Sequence, residues 1–369
     1  MEQIILRICL IITILLLVGS TQGAALSLIP TLTLSANAIP ARADRIQLWE
    51  DGYWYLLGVN YPWLNYGHDF GTTAWGHDGV SSNKSMEQVD ADFAYLKGQG
   101  VHIVRWFLFG DGRAAPEFNA KGEVTGFDEF FYPDLDAALA LAQKHDIYLI
   151  LVLFDFHLAD KAKEVNGVQL GGRSQIITDP RKRQSFLEKA LKSLLERYGK
   201  NRSIIALEVM NEPEGAMAIP GGGWVSEPVS AVAMQAFVNE VVTYIHTHSH
   251  QYATVGSASR GGLSYWTNST LDFYQYHYYD NIESQYPLDY PYVNLSLDKP
   301  CIVGEFPTKN TMLPTKQYLD TIWKNGYAGS LAWSYRAQDD SSDFEGVVNE
   351  FTTWSLAHEA DAHIGLQFK

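Results

Sequence analysis

Cysteine is nearly absent from this chain. Of 369 residues only Cys9 and Cys301 are cysteines, and Cys9 lies inside the apolar run Ile8–Val18. Once that run is removed no disulfide can form, so the fold must be held by its core. Cys301 opens an apolar segment and reads as a small buried hydrophobe. Basic charge is also scarce: 27 Lys and Arg stand against 42 Asp and Glu, a formal charge of −15. An acidic surface repels phosphate, and no Lys/Arg stripe is interleaved with aromatics, so nucleic acid is not an expected partner. A neutral polymer meets no such penalty.

Long apolar runs are missing after the first 25 residues. Arg7, the run Ile8–Val18 and the small and polar residues Gly19–Ala25 have the layout of a secretory signal peptide. Cleavage is expected near Gly23–Ala25 or at Ala36-Asn37-Ala38. An uncleaved membrane anchor is the alternative, since Ile4–Val18 falls slightly short of a span of ~20 residues. The expected product is secreted, or membrane-anchored if residues 1–25 remain, with no other stable membrane partner. Residues 26–44 mix Ala, Ser, Thr, Leu and Pro without periodicity and read as a linker. Residues 45–369 then form a single domain.

What the chain does have is apolar residues, 46% of the total, and aromatics, 13%, including 10 Trp and 21 Tyr. From residue 45 onward, short strand-like runs alternate with amphipathic helical stretches. The strands are expected at Tyr55–Tyr61, His102–Phe109, Tyr148–Phe156, Ile204–Met210, Tyr252–Ser257, Phe273–Tyr279, Cys301–Phe306 and Gly329–Tyr335. Helices are expected at Met86–Lys97, Leu135–Lys144, Phe186–Tyr198, Val229–His246 and Thr315–Trp323. The third follows Asp179 as N-cap and Pro180 at the first position. Pro287 and Pro291 oppose a long helix after the sixth strand. Gln47–Tyr53 reads as a hairpin turning at Asp51-Gly52 and closing one end of the fold. Eight βα units imply an α/β fold, a (β/α)8 TIM barrel, with chemistry at the C-terminal ends of its strands.

The fourth strand ends Leu207-Glu208-Val209-Met210-Asn211-Glu212-Pro213, and the seventh ends Ile302-Val303-Gly304-Glu305-Phe306. Each projects a glutamate from the rim, and strands four and seven lie on opposite sides of a barrel. Two facing carboxyl groups can cleave a glycosidic bond, one protonating the leaving oxygen while the other attacks the anomeric carbon. Rim aromatics near Tyr61, Trp63, Tyr66, Trp75 and Trp106, and near Trp224, Tyr265 and Trp266, either line sugar subsites or pack loops.

The Asn-Glu-Pro and Gly-Glu-Phe strand ends resemble those of the barrel glycosidases whose acid/base and nucleophile close strands four and seven. More narrowly, residues 45–340 resemble glycoside hydrolase family 5, the cellulase and β-mannanase family. The resemblance rests on residues in order: Arg105 in Val104-Arg105-Trp106, His157 in Asp155-Phe156-His157, Asn211 before Glu212, His277 and Tyr279 in His277-Tyr278-Tyr279, Glu305, and Trp333 in Ala332-Trp333-Ser334. It implies Glu212 as acid/base, Glu305 as nucleophile and retention of anomeric configuration. Arg105 and Tyr279 would hold Glu305 ionised, Asn211 the sugar 2-hydroxyl, and Trp333 the floor of the reacting subsite. His157 and His277 would bind substrate hydroxyls or the catalytic groups. The implied substrate is a β-1,4-linked polysaccharide or oligosaccharide, a β-mannan or a β-glucan. An exo-acting enzyme on another glycan, or a catalytically silent sugar-binding barrel, is the alternative.

No metal or cofactor is implied, because two carboxyl groups supply the charges the chemistry needs. His246, His248 and His250 end a helix and lack a carboxylate or thiol at ligand spacing. Gly221-Gly222-Gly223 lacks the Lys-Ser/Thr of a phosphate loop and is expected as a mobile rim loop. Sequons occur at Asn83, Asn201, Asn268 and Asn294. A monomer is expected.

Overall fold

The structure is a computed structural model that describes residues 43–48 and 52–364. The expected signal segment, Cys9 and nearly all of the linker lie outside the described residues.

Eight parallel strands close a barrel in the order β4-β5-β6-β7-β8-β1-β2-β3. They are β1 (Leu56–Asn60), β2 (Ile103–Phe107), β3 (Tyr148–Asp155), β4 (Ile204–Asn211), β5 (Tyr252–Ser257), β6 (Tyr274–His277), β7 (Cys301–Pro307) and β8 (Gly329–Trp333). All eight expected strands form, with ends shifted by a residue or two. Side chains alternate along each strand. On β1 and β2, Leu57, Val59, Val104 and Trp106 face the outer layer and join the large core. Leu56, Ile103, Ile150, Ala206, Ile302 and Leu331 join the inner apolar cluster at the N-terminal end of the barrel. Burying each of the larger side chains stabilises the fold by roughly 1.5–3 kcal/mol.

The N-terminal hairpin forms as expected. Ile46–Gln47 pairs antiparallel with Tyr53–Trp54, although residues 49–51 of its turn lie outside the described residues. Ile46, Leu48 and Trp54 close the inner apolar cluster from below, and His363–Ile364 adds a third strand.

Three of the connecting helices begin within three residues of where periodicity places them, α1 (Asn83–Gly98), α4 (Ala231–His248) and α5 (Thr315–Lys324), and α2 (Phe131–Lys144) begins a full turn before the expected Leu135. Helix α3 starts at Pro180, capped by Asp179 Oδ1 accepting from Arg181 N at 2.8 Å, and runs to Tyr198 through a π-helical turn at Leu187–Leu191. Only short 3₁₀ turns follow β5 and β6; after β6, Pro287 and Pro291 oppose a longer helix. Helix α6 (Phe344–Ala362) and a small hairpin at 117–126 carry no clear sequence signal, whereas a second hairpin at 163–170 turns at Asn166-Gly167, both at positive φ as a two-residue hairpin turn requires. No helix among the described residues is long and apolar enough to cross a membrane.

Candidate active site

Toward the C-terminal ends of the strands the barrel interior turns from apolar to polar. Asn60 on β1, Arg105 on β2, Glu208 on β4, Gln275 and His277 on β6 and Glu305 on β7 are all buried there. Glu212 follows β4 directly and sits in the left-handed region, φ 44° and ψ 54°. That conformation costs a non-glycine residue on the order of 1 kcal/mol or more. It is held by Glu212 N donating to Gly256 O at 2.7 Å and by Gly215 N donating to Glu212 O at 2.8 Å. The bend aims the Glu212 carboxyl across the mouth toward Glu305.

One carboxylate oxygen from each of Glu212 and Glu305, with a ring nitrogen of His277, lie within 4.8 Å of one another. Glu305 is gripped from two sides. Arg105 Nη1 donates to its Oε1 at 2.7 Å, and the Tyr279 hydroxyl donates to its Oε2 at 2.6 Å. His277 Nδ1 lies 2.9 Å from Glu212 Oε1 and 3.4 Å from Glu305 Oε1. Asn211 Oδ1 accepts from Arg105 Nη2 at 2.8 Å while its Nδ2 donates to Asp155 Oδ2 at 3.2 Å, so the amide orientation is fixed. Of the expected residues, Arg105, Asn211, Glu212, His277, Tyr279 and Glu305 therefore form one connected cluster. Trp333 lines the same cleft, its Nε1 donating to Asp339 Oδ2 at 2.8 Å. His157 lines the cleft further out, about half exposed and bonded through Nδ1 to Asp160 Oδ2 at 2.6 Å. It touches neither glutamate, so of its two expected roles only contact with a bound chain fits its place.

Burial pushes the Glu212 carboxyl up to about 8, with Asp155 and Glu214 adding to the rise and Arg105 opposing it. Among the described residues its side-chain partner is the His277 ring, which burial pushes down to about 4 and so keeps neutral above that pH. Glu305 is also raised, by burial, whereas His277, Arg105 and the Tyr279 hydroxyl pull it down. Arg105 favours the ionised form of Glu305. Burial outweighs it, because a carboxylate removed from water loses more than the guanidinium beside it returns.

The cleft has a volume of about 1180 Å³, beyond the ~300–1,000 Å³ usual for small-ligand pockets. Trp63, Tyr66 and Trp224 line it. Tyr61, Trp106 and Trp266 do not: they are fully buried, and packing claims them. The Gly221–Gly223 loop presents half-exposed Trp224, whose Nε1 donates to Gly221 O at 2.9 Å. His246 pairs with Asp272 and His248 bonds its own helix, so the three helix-end histidines share no site.

Sequence reasoning missed Glu208, Gln275, Asn60, Asp155 and Glu214. Glu214 accepts from Ser257 Oγ at 2.8 Å, Trp266 Nε1 at 3.0 Å and Ala258 N at 3.0 Å, tying the turn after Glu212 to β5. The available signal was a charged residue inside an apolar strand, as at Glu208, which demands a buried partner. Among the described residues, Glu212, His277 and Glu305 are the set able to hold a metal ion. The Arg105 charge 2.7 Å from Glu305 opposes a cation there.

A family described as cellulase (glycosyl hydrolase family 5) matches residues 65–362. The chain is 27% identical over 335 residues to a mannan endo-1,4-beta-mannosidase of Mytilus edulis, covering 79% of this chain and 87% of that one. It is also 27% identical over 334 residues to a mannan endo-1,4-beta-mannosidase of Cryptopygus antarcticus, covering 78% and 82%. Among solved structures, the endo-1,4-beta-mannanase of Eisenia fetida shares the fold, with a TM-score of 0.72 at 23% identity over 84% of this chain and 94% of that one.

Proposed function

Since the chain belongs to the cellulase family, glycosyl hydrolase family 5, and is thereby an O-glycosyl hydrolase, we propose that it is a secreted endo-β-1,4-mannanase acting by double displacement. Glu212 is its acid/base and Glu305 its nucleophile. The observation that carries this reading is the approach of the two carboxyl groups, with an oxygen of each inside 4.8 Å. Retaining pairs stand ~5–5.5 Å apart, whereas inverting pairs need ~6.5–9.5 Å to admit a water. The preference for mannan over β-glucan rests on the two relatives that share 27% identity, both named for that activity. The large cleft suits a chain of several rings, which favours endo action. Secretion rests on the layout of residues 1–25.

Glu212, held protonated by its partly buried setting, donates to the departing glycosidic oxygen as Glu305 attacks the anomeric carbon. The bond to the sugar removes the charge on Glu305. Glu212, now ionised, accepts a proton from water that attacks the same carbon and releases Glu305. Asn211 reaches the ring beside the reacting centre, with its amide fixed by Arg105 and Asp155. Trp333 offers the ring a face to rest on.

The test is reducing-sugar release from β-mannan, soluble cellulose, xyloglucan and laminarin, with Glu305→Gln run in parallel. Release from mannan that collapses in the variant is the expected result. Turnover undiminished in Glu305→Gln would overturn the nucleophile assignment, and preference for another glycan would overturn the substrate.

A further inference from the structure

Resting on that reading, we propose that Glu208 is a positioning residue: it shares the Arg105 guanidinium with Glu305, so that the nucleophile is aimed without being quenched by a whole cation. Every donor of Arg105 is accounted for. A guanidinium has five N–H groups in a rigid fork, and in Arg105 all five are taken. Nε and one Nη2 hydrogen go to Glu208 Oε2 and Oε1, at 2.7 and 2.6 Å. The second Nη2 hydrogen goes to Asn211 Oδ1, and the two Nη1 hydrogens go to Asn60 Oδ1 at 2.8 Å and Glu305 Oε1 at 2.7 Å. Only Glu208 holds two of the five. A bidentate pair fixes the plane of both groups, so Glu208 decides where the remaining hydrogens point, and these reach Asn211 and Glu305.

The seat of Glu208 is built for it. The side chain is fully buried, and Gln275 Nε2 donates a third bond to Oε2 at 2.7 Å. Gly256 on β5 leaves the room, since a Cβ there would stand 2.4 Å from Glu208 Oε1. Gly304, next to the nucleophile, likewise leaves room for Gln275, which a Cβ would approach to 2.4 Å. Two glycines and a glutamine thus frame one buried carboxylate that is not among the residues lining the cleft.

The electrostatic consequence follows from charge balance. Arg105 and Glu208 together are neutral, so ionised Glu305 keeps its own charge in a buried site. A carboxylate alone with a guanidinium at 2.7 Å would be stabilised, and attack would have to break that stabilisation. The charged and titratable groups around Glu305 are Arg105 from β2, Glu208 and Glu212 from β4 and its end, and His277 and Tyr279 from β6 and just beyond. Asp155 at the end of β3 acts through Asn211. Removing the Glu208 charge leaves Arg105 to lower both Glu305 and Glu212.

The experiment is the pH dependence of kcat/KM on mannan for wild type, Glu208→Gln and Glu208→Asp. Glu208→Gln is expected to lower kcat on the order of 10- to 100-fold, as misplacement of a reacting group by about 1 Å does. Both limbs of its pH profile should move to lower pH, by roughly one unit, while KM changes little. Glu208→Asp keeps the charge and shortens the reach, so kcat should fall with the profile unmoved. A Glu208→Gln enzyme with wild-type kcat or an unmoved profile overturns the proposal. If Glu208→Gln does not fold, a Glu208→Asp enzyme with wild-type kcat overturns it alone. Wild-type protein inactive on every glycan would instead count against the proposed function.

Discussion

At Glu212 an unfavourable backbone conformation and an unfavourable place for charge coincide. The φ of 44° belongs to the sharp turn out of β4, and burial, helped by Asp155 and Glu214, pushes the carboxyl up to about 8. Under the proposed mechanism the protonated carboxyl is the proton donor, so activity should be present below the folded-state value and be lost as pH rises through about 8. kcat/KM on mannan is expected to show a basic limb near pH 8, to be checked by initial rates between pH 4 and 10, a span of about six units around it. Glu212→Ala should lose about 10²–10⁴ in kcat on mannan and lose that limb with it. A basic limb that survives the substitution would assign the titration to another group. Glu212 itself was legible in the sequence, since Asn-Glu-Pro closes a predicted strand. Its neighbours Asp155 and Glu214 were not, because their effect comes from distance in space.

Among the elements, the eight strands could be read because each is a short apolar run bounded by polar residues, and the barrel order follows from parallel βα units. Glu208 resisted for the opposite reason. One glutamate in an apolar strand has a direction only once the ring closes and β2 brings Arg105 to face it. Helix α6 was hidden by a blurred stripe, with Ser355 buried and Leu356 exposed. Periodicity places the start of helix α2 at Leu135, a turn late, because Pro133 precedes it, although Pro is allowed in a first turn. That first turn carries Asp134, which pins the loop after β1. Its carboxylate accepts from Gly71 N at 2.9 Å, Ser81 N at 2.8 Å and Ser81 Oγ at 2.6 Å, and meets His77 Nε2 at 3.1 Å. Asp134→Ala leaves these donors, Gly71 N buried among them, without their acceptor and should destabilise the protein by about 3 kcal/mol. Urea unfolding checks this. A change under about 0.5 kcal/mol, the size of an ordinary surface substitution, would mean the loop is held by other contacts.

Over the whole molecule, the barrel divides its labour along its axis. The N-terminal end is sealed by the hairpin and Trp54 over an apolar cluster, which lets the opposite end hold a strained turn and a buried ionic network without loss of the fold. The acidic charge of −15 suits a neutral glycan better than any polyanion. A large aromatic-lined cleft then meets the paired glutamates at the one place where loops from most strands converge. The most direct test of double displacement there is to trap the intermediate. Incubation with an activated 2-deoxy-2-fluoro-β-mannoside, chain-extended to fill the cleft, followed by peptide mass spectrometry, should find one sugar bound to Glu305. A sugar bound to any other residue, or turnover of mannan that first releases the α-anomer, would contradict it.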